Sequence, residues 1–169
     1  MAESKKTEIA RRIADELASS HVKLVASLPD NWIAELIDTI DRDSRFSHIP
    51  VNREESAVGL CSGAYMGGMG ACALMGASGF MTLVYAITKI NYTYEIPIFV
   101  MITWRGAFGD PHRHHSSNGL YLKPVLDAIS LPYTVIDKPE DIGKIGTVYH
   151  HAMHYMRPAV VALTRDLLQ

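Results

Sequence analysis

The chain has 169 residues, 16 basic against 18 acidic side chains for a formal net charge of −2, and two cysteines. That balance, with no basic stripe interleaved with aromatics, speaks against a nucleic-acid surface. Cys61 and Cys72 both fall inside apolar segments and read as small buried thiols, which leaves no disulfide framework or cysteine metal site. A chain of this length suits one domain over residues 1–169 and buries roughly 70% of the surface its unfolded form exposes. Its start, MAESKKTEIARRIADELASS, is charged and helix-periodic without an apolar signal core, so the cytoplasm is the expected compartment.

Residues 4–19 predict a helix with Ile9, Ile13, Ala14 and Leu17 on one face. VKLVASLP (22–29) reads as a strand, and Asp30 is placed to cap a helix through about Ile40 that carries Trp32, Ile33, Leu36 and Ile37. FSHIPV (46–51) is a second strand, followed by a helix from Glu54 to Met66. ACALMG (71–76) is the third strand, and a helix from Gly79 to Asn91 follows it. IPIFVMITW (96–104) is the fourth and most continuously apolar strand. A long polar loop, RGAFGDPHRHHSSNG, precedes the helix LYLKPVLDAIS (120–130). YTVI (133–136), a helix over 139–156 and the strand PAVVALT (158–164) complete the pattern. Short apolar strands alternating with helices imply a parallel sheet covered on both faces.

No charge occurs from Ser56 to Thr88, a run long enough to cross a bilayer. GGMG at 67–70 breaks that run, and Glu54 and Glu55 stand where a basic anchor would be needed. A membrane span is therefore not expected. The two carboxylates have a structural explanation, since acidic residues at a helix N-terminus interact favourably with its dipole. They also have a functional one. In an open parallel sheet, ligands meet the loops at the carboxyl ends of the strands. Arg53 and Glu54 follow the second strand, Ser78 and Gly79 the third, and Arg105 with its histidine-rich loop the fourth.

HRHH (112–115) reads as a surface loop, a substrate contact or a metal ligand set, although adjacent residues diverge and no cysteine or spaced carboxylate completes a metal site. His150 and His154 have helical spacing without the intervening glutamate of a zinc helix, so packing or an interface is the expected role.

REESAVGLCSGAY (53–65), MGASGF (75–80) and YEIPIFVMITWRG (94–106), in that order, resemble the pyrimidine-binding domain of thiamine diphosphate-dependent 2-oxoacid decarboxylases. More narrowly, the chain is similar from about Ile9 to Leu163 to the alpha subunit of sulfopyruvate decarboxylase and the matching half of phosphonopyruvate decarboxylase. The resemblance implies a flavodoxin-like, three-layer α/β sandwich with a mostly parallel six-stranded sheet. It also implies that a glutamate opening the third helix is catalytic, hydrogen-bonding N1′ of the cofactor's aminopyrimidine. Glu54 with Gly63 fits the family's spacing, whereas counting to Tyr65 selects Glu55; Glu54 is preferred. Ser78 and Gly79 match further cofactor-binding positions, but GASGFMT (76–82) stands where relatives carry QNSGLGN, so amide contacts are missing.

The family holds the diphosphate and Mg²⁺ through a GDG motif and a downstream asparagine. This chain has only GDP at 109–111 with Asn118 beyond it. The resemblance therefore implies a hetero-oligomer, with a separate diphosphate-binding beta subunit that carries GDG and the metal. The substrate it implies is a 3-sulfo- or 3-phosphono-pyruvate-like acid, decarboxylated to an aldehyde. Arg105 is the candidate for the second anion, because guanidinium offers a planar fork of donors, and His112, His114 and His115 lie on the same loop. The competing expectations are that Arg105 pairs with a carboxylate such as Asp110, and that the whole chain is a non-catalytic flavodoxin-like module.

Overall fold

A computed structural model describes residues 4–169 and shows six strands in the order β2-β1-β3-β4-β6-β5. These are β1 (Val22–Ser27), β2 (Ser47–Pro50), β3 (Gly70–Met75), β4 (Phe99–Thr103), β5 (Tyr133–Ile136) and β6 (Ala159–Leu163). Every neighbouring pair is parallel. β4 and β6, in the interior of the sheet, are buried at every position, which is why their sequences are continuous apolar runs rather than alternating ones.

Helices α1 (Lys5–Ser19), α2 (Ala34–Asp41), α6 (Lys144–Tyr155) and the short α7 (Arg165–Leu168) cover one face, around Ile13, Leu17, Leu36 and Ile145. Helices α3 (Glu54–Met66), α4 (Ala77–Ala86) and α5 (Ser116–Ala128) cover the other, around Val58, Phe80, Leu83 and Leu126. The result is a three-layer, all-parallel α/β sandwich. Cys61 and Cys72 are free and buried, and burial pushes the Cys61 thiol up to about 12.

Several boundaries differ from the sequence expectation for identifiable reasons. Asp30 does not cap α2; its Oδ1 accepts from Trp32 N at 2.8 Å in a turn, and the helix starts at Ala34. α4 begins at Ala77 because Thr103 Oγ1, from the end of β4, accepts Ala77 N at 3.1 Å and serves as the cap that Gly76 has no side chain to make. It runs on into a π-turn over Ile87–Tyr92, where buried Asn91 donates Nδ2 to Ser62 Oγ at 2.9 Å and to the Ile96 carbonyl at 3.0 Å. α5 starts inside the expected polar loop, at Ser116, and tolerates Pro124 in its interior.

The chain leaves β1 toward one face and β3 toward the other, so a crevice opens between these adjacent strands at their carboxyl ends. A second opens between β4, which leads to α5, and β6, which leads to α7 on the opposite face. No helix among the described residues is long and apolar enough to cross a membrane.

Candidate functional site

Glu54 is the first residue of α3, reached from β2 through Arg53 in extended conformation (φ −146°, ψ 145°). It is half-buried, with its carboxylate laid against Gly79 in the first turn of α4, where a Cβ would collide with Oε1. A side chain at 79 would have to displace the Glu54 carboxylate from this position. Thr82 Oγ1 lies 3.4 Å from Glu54 Oε2 and 2.9 Å from the Gly79 carbonyl. A hydroxyl has one proton to donate, and the shorter bond goes to the carbonyl. The Glu54 carboxylate thus keeps acceptor positions unfilled.

Glu55 is placed differently. Arg53 lies 3.2 Å from its Oε1, and that hydrogen bond, with a backbone N–H, holds its carboxyl below the usual range. Glu54, not Glu55, is the carboxylate brought to the Ser78–Gly79 turn. Ser78 itself is exposed, and its Oγ accepts from Asn118 Nδ2 at 3.0 Å. Asn118 is 5% exposed in the first turn of α5, so this pair ties α4 to α5.

Arg105, after β4, enters a buried network. Its Nη2 donates to Asp30 Oδ1 at 2.5 Å, and their side chains are 13% and 9% exposed. Nη1 lies 2.5 Å from His115 Nε2, and the guanidinium carbon sits 4.8 Å from the centre of the Trp32 ring. His115 is 2% exposed and places Nδ1 at 2.8 Å from Asp110 Oδ2. These partners fix the tautomer: Nδ1–H donates to Asp110, and Nε2 accepts from Arg105. Asp110 also accepts the backbone N–H groups of Gly106 and His112, at 2.9 and 3.1 Å. Of the guanidinium donors, Nε is buried without a partner.

Arg105 therefore pairs with Asp30 directly and with Asp110 only through His115. His112 and His114 are exposed on the same loop, their ring centres 5.4 Å apart. A groove of about 540 Å³ runs between Trp104–Phe108 and α5, with Arg105 and Asn118 in its wall. His150 and His154 are exposed on α6, on the opposite face of the sheet from α3, α4 and α5. No group of His, Cys, Asp or Glu among the described residues is arranged to hold a metal ion.

Asp30, Thr82 and Asn118 did not stand out as site residues in the sequence. Asp30 carried one usable signal, its position just after β1 on the edge that also bears Glu54 and Arg105. Thr82 and Asn118 act through partners 28 and 40 residues away, which spacing alone does not reveal.

The architecture is that of a flavodoxin-like α/β domain with Glu54, Ser78, Gly79 and Arg105 on the carboxyl edge of the sheet. No family model matches the chain. It is 31% identical over 129 residues to sulfopyruvate decarboxylase subunit alpha of Methanococcus maripaludis, covering 76% of this chain and 77% of that one. It is 30% identical over 156 residues to the protein of the same name from Methanocaldococcus jannaschii, covering 92% of each. A 29% identity over 130 residues to phosphonopyruvate decarboxylase of Streptomyces viridochromogenes covers 76% of this chain but 32% of that longer protein. The chain belongs to the family of sulfopyruvate decarboxylase alpha subunits.

Proposed function

We propose that the chain is the pyrimidine-binding subunit of a thiamine diphosphate-dependent 2-oxoacid decarboxylase, acting on a pyruvate that bears a sulfonate or phosphonate at C3. The observation that carries this reading is the Glu54 carboxylate, at the start of α3 and laid against Gly79, with acceptor positions left open. An acceptor so placed fits the aminopyrimidine end of the cofactor. Thiamine diphosphate, when bound, supplies the electron sink that allows carbon dioxide to leave. Glu54 would hold the pyrimidine by a hydrogen bond between its carboxylate and the ring nitrogen N1′, and Ser78 and Gly79, in the turn beside that carboxylate, would be its neighbours in the site.

The diphosphate is assigned elsewhere. GDP at 109–111 is spent on the loop, because Asp110 is consumed by Gly106, His112 and His115, and Asn118 by Ser78. The reading therefore places the diphosphate and Mg²⁺ on a separate beta subunit that carries GDG. The length of the phosphonopyruvate decarboxylase, of which this chain matches 32%, supports a second half of that kind.

For the substrate, His112 and His114 meet the second anion directly. Arg105 and His115, engaged by Asp30 and Asp110, hold the loop that presents them, and Arg105 keeps one unpartnered donor, Nε. The test is reconstitution. The purified chain alone is expected to lack decarboxylase activity on sulfopyruvate and phosphonopyruvate and to gain it with a GDG-bearing partner, thiamine diphosphate and Mg²⁺. Full turnover by the isolated chain defeats the division of labour, and silence with both halves present defeats the activity.

A further inference from the structure

The crevice between β4 and β6 lies one to two strand spacings, on the order of 5–10 Å at about 4.8 Å per strand, from β3, whose following turn holds Gly79 against the Glu54 carboxylate. It holds a cleft of about 340 Å³, within the range of roughly 300–1,000 Å³ typical of small-molecule sites. Three aromatic side chains line it: Trp32, Trp104 and Phe108. Two of the rings are fixed. Trp104 stacks on Tyr133 with planes 17° apart and centres 5.8 Å apart. Trp32 is 6% exposed and braced by Arg105 and by the edge of His115, whose ring centre is 5.5 Å away. Phe108 projects fully into solvent at the rim.

Asp110, Asp137, Asp166 and one guanidinium, Arg165, line the cleft, and a second guanidinium, Arg105, sits 4.8 Å from the centre of the Trp32 ring and is paired with Asp30. Asp110 is already satisfied by the 105–115 loop, and Arg165 Nε donates to Gln169 Oε1 at 3.1 Å. Asp137 and Asp166 are exposed, and no side-chain hydrogen bond or ion pair among the described residues engages either. Aromatic faces attract cations through the ring quadrupole, and the free carboxylates add to that attraction. The same charges repel a dianionic oxoacid, so this cleft is distinct in chemistry from the site proposed above.

We propose that the β4/β6 cleft binds a small organic cation, an alkylammonium or guanidinium head group, packed against Trp32, Trp104 and Phe108 and balanced by Asp137 and Asp166. Occupancy would be felt at Arg105, because Trp32 is the wall the two regions share.

The chain contains two tryptophans and both line this cleft, so its tryptophan emission reports on this site. The purified full chain is titrated with tetramethylammonium chloride and with n-butylguanidinium chloride, against sodium chloride and sodium methanesulfonate at matched ionic strength. A saturable change with the two organic cations and none with the controls is expected. The Asp137→Asn/Asp166→Asn double variant, checked for native circular dichroism, is expected to bind them about fivefold or more weakly, the effect of removing two solvent-facing charge partners. Each single variant carries part of that loss and keeps the test alive if the double variant folds poorly. A change that only tracks ionic strength, a saturable response to methanesulfonate, or unaltered binding in the folded variants overturns the proposal.

Discussion

At the β2–β3 end of the carboxyl edge, Glu54 rests against Gly79 and shares a long contact with Thr82, and its carboxylate keeps capacity to spare. At the β1–β4 position, Asp30, Arg105, His115 and Asp110 occupy one another almost completely, with Arg105 Nε the one buried donor in the network left over. Of the carboxylates at these two positions, Glu54 is kept available, and Asp30 and Asp110 are consumed. Buried polar groups that satisfy each other specify a conformation, whereas a half-buried carboxylate with open acceptor positions is free to take a donor from a ligand. The first end has the character of chemistry awaiting a complement, and the second that of a clasp fixing the 105–115 loop.

The comparison breaks most readily at Glu54. Glu54→Gln, assayed with the partner subunit and cofactor, is expected to lower turnover by roughly 10²- to 10⁴-fold, the range for a positioned acid or base. Glu55→Gln is expected to do far less, since that side chain is turned to Arg53. Steady-state kcat on sulfopyruvate decides between them, and a reversed order would move the catalytic role to Glu55. Gly79→Ala sharpens the same point without touching a charge. The added methyl must displace the Glu54 carboxylate, so activity is expected to fall by about tenfold or more, while the exposed turn limits the stability cost to about 1–3 kcal/mol. Wild-type kcat in Gly79→Ala would show that Glu54 has no fixed working position.

The clasp responds in stability instead. Asp30→Ala leaves the Arg105 guanidinium, 13% exposed, without its carboxylate, and removal of one partner from a buried pair costs about 3–5 kcal/mol. At roughly 2–4 °C per kcal/mol for a chain of this size, a fall in Tm of about 6 °C or more is expected by calorimetry. Arg105→Ala then separates support from recognition. If Arg105 only holds the loop, kcat/KM falls alike for sulfopyruvate, phosphonopyruvate and pyruvate; a loss confined to the two dianions would assign it the anion itself.

The inner strands were legible because a strand buried on both faces is written as an uninterrupted apolar run, as in IPIFVMITW and PAVVALT. Helix α1 was legible because Ile9, Ile13, Ala14 and Leu17 recur at helical spacing and are all buried. What escaped was everything set by a partner from another strand. The start of α4 depends on Thr103, the π-turn on Asn91 reaching Ser62, and the fate of Asp30 on Arg105. Glu54, Ser78 and Gly79 were reached through family resemblance and the edge rule together. The rule located the edge, but neither spacing nor composition tells which carboxylate there will be neutralised. That depends on contacts between residues as far apart as 30 and 105.

The smallest effect belongs to Asp110, and it tests whether the clasp is held by charge. Burial pushes its carboxyl up, but the N–H groups of Gly106 and His112 and the His115 imidazole outweigh that and bring it to about 2. A group whose folded pKa lies below its unfolded value of about 3.9 contributes stability that is complete above that value and is lost as pH falls through the folded one. Urea unfolding of wild type and Asp110→Asn should therefore differ by a constant amount from pH 7 down to about 5. The gap should then narrow between about pH 4 and about pH 2, where the wild-type carboxyl takes up its proton and comes to resemble the amide. Every other carboxylate titrates in both proteins, so the difference between the two curves isolates Asp110. A gap unchanged down to pH 2 would mean that the loop is held by shape and neutral hydrogen bonds, and that the Asp110 charge contributes nothing to it.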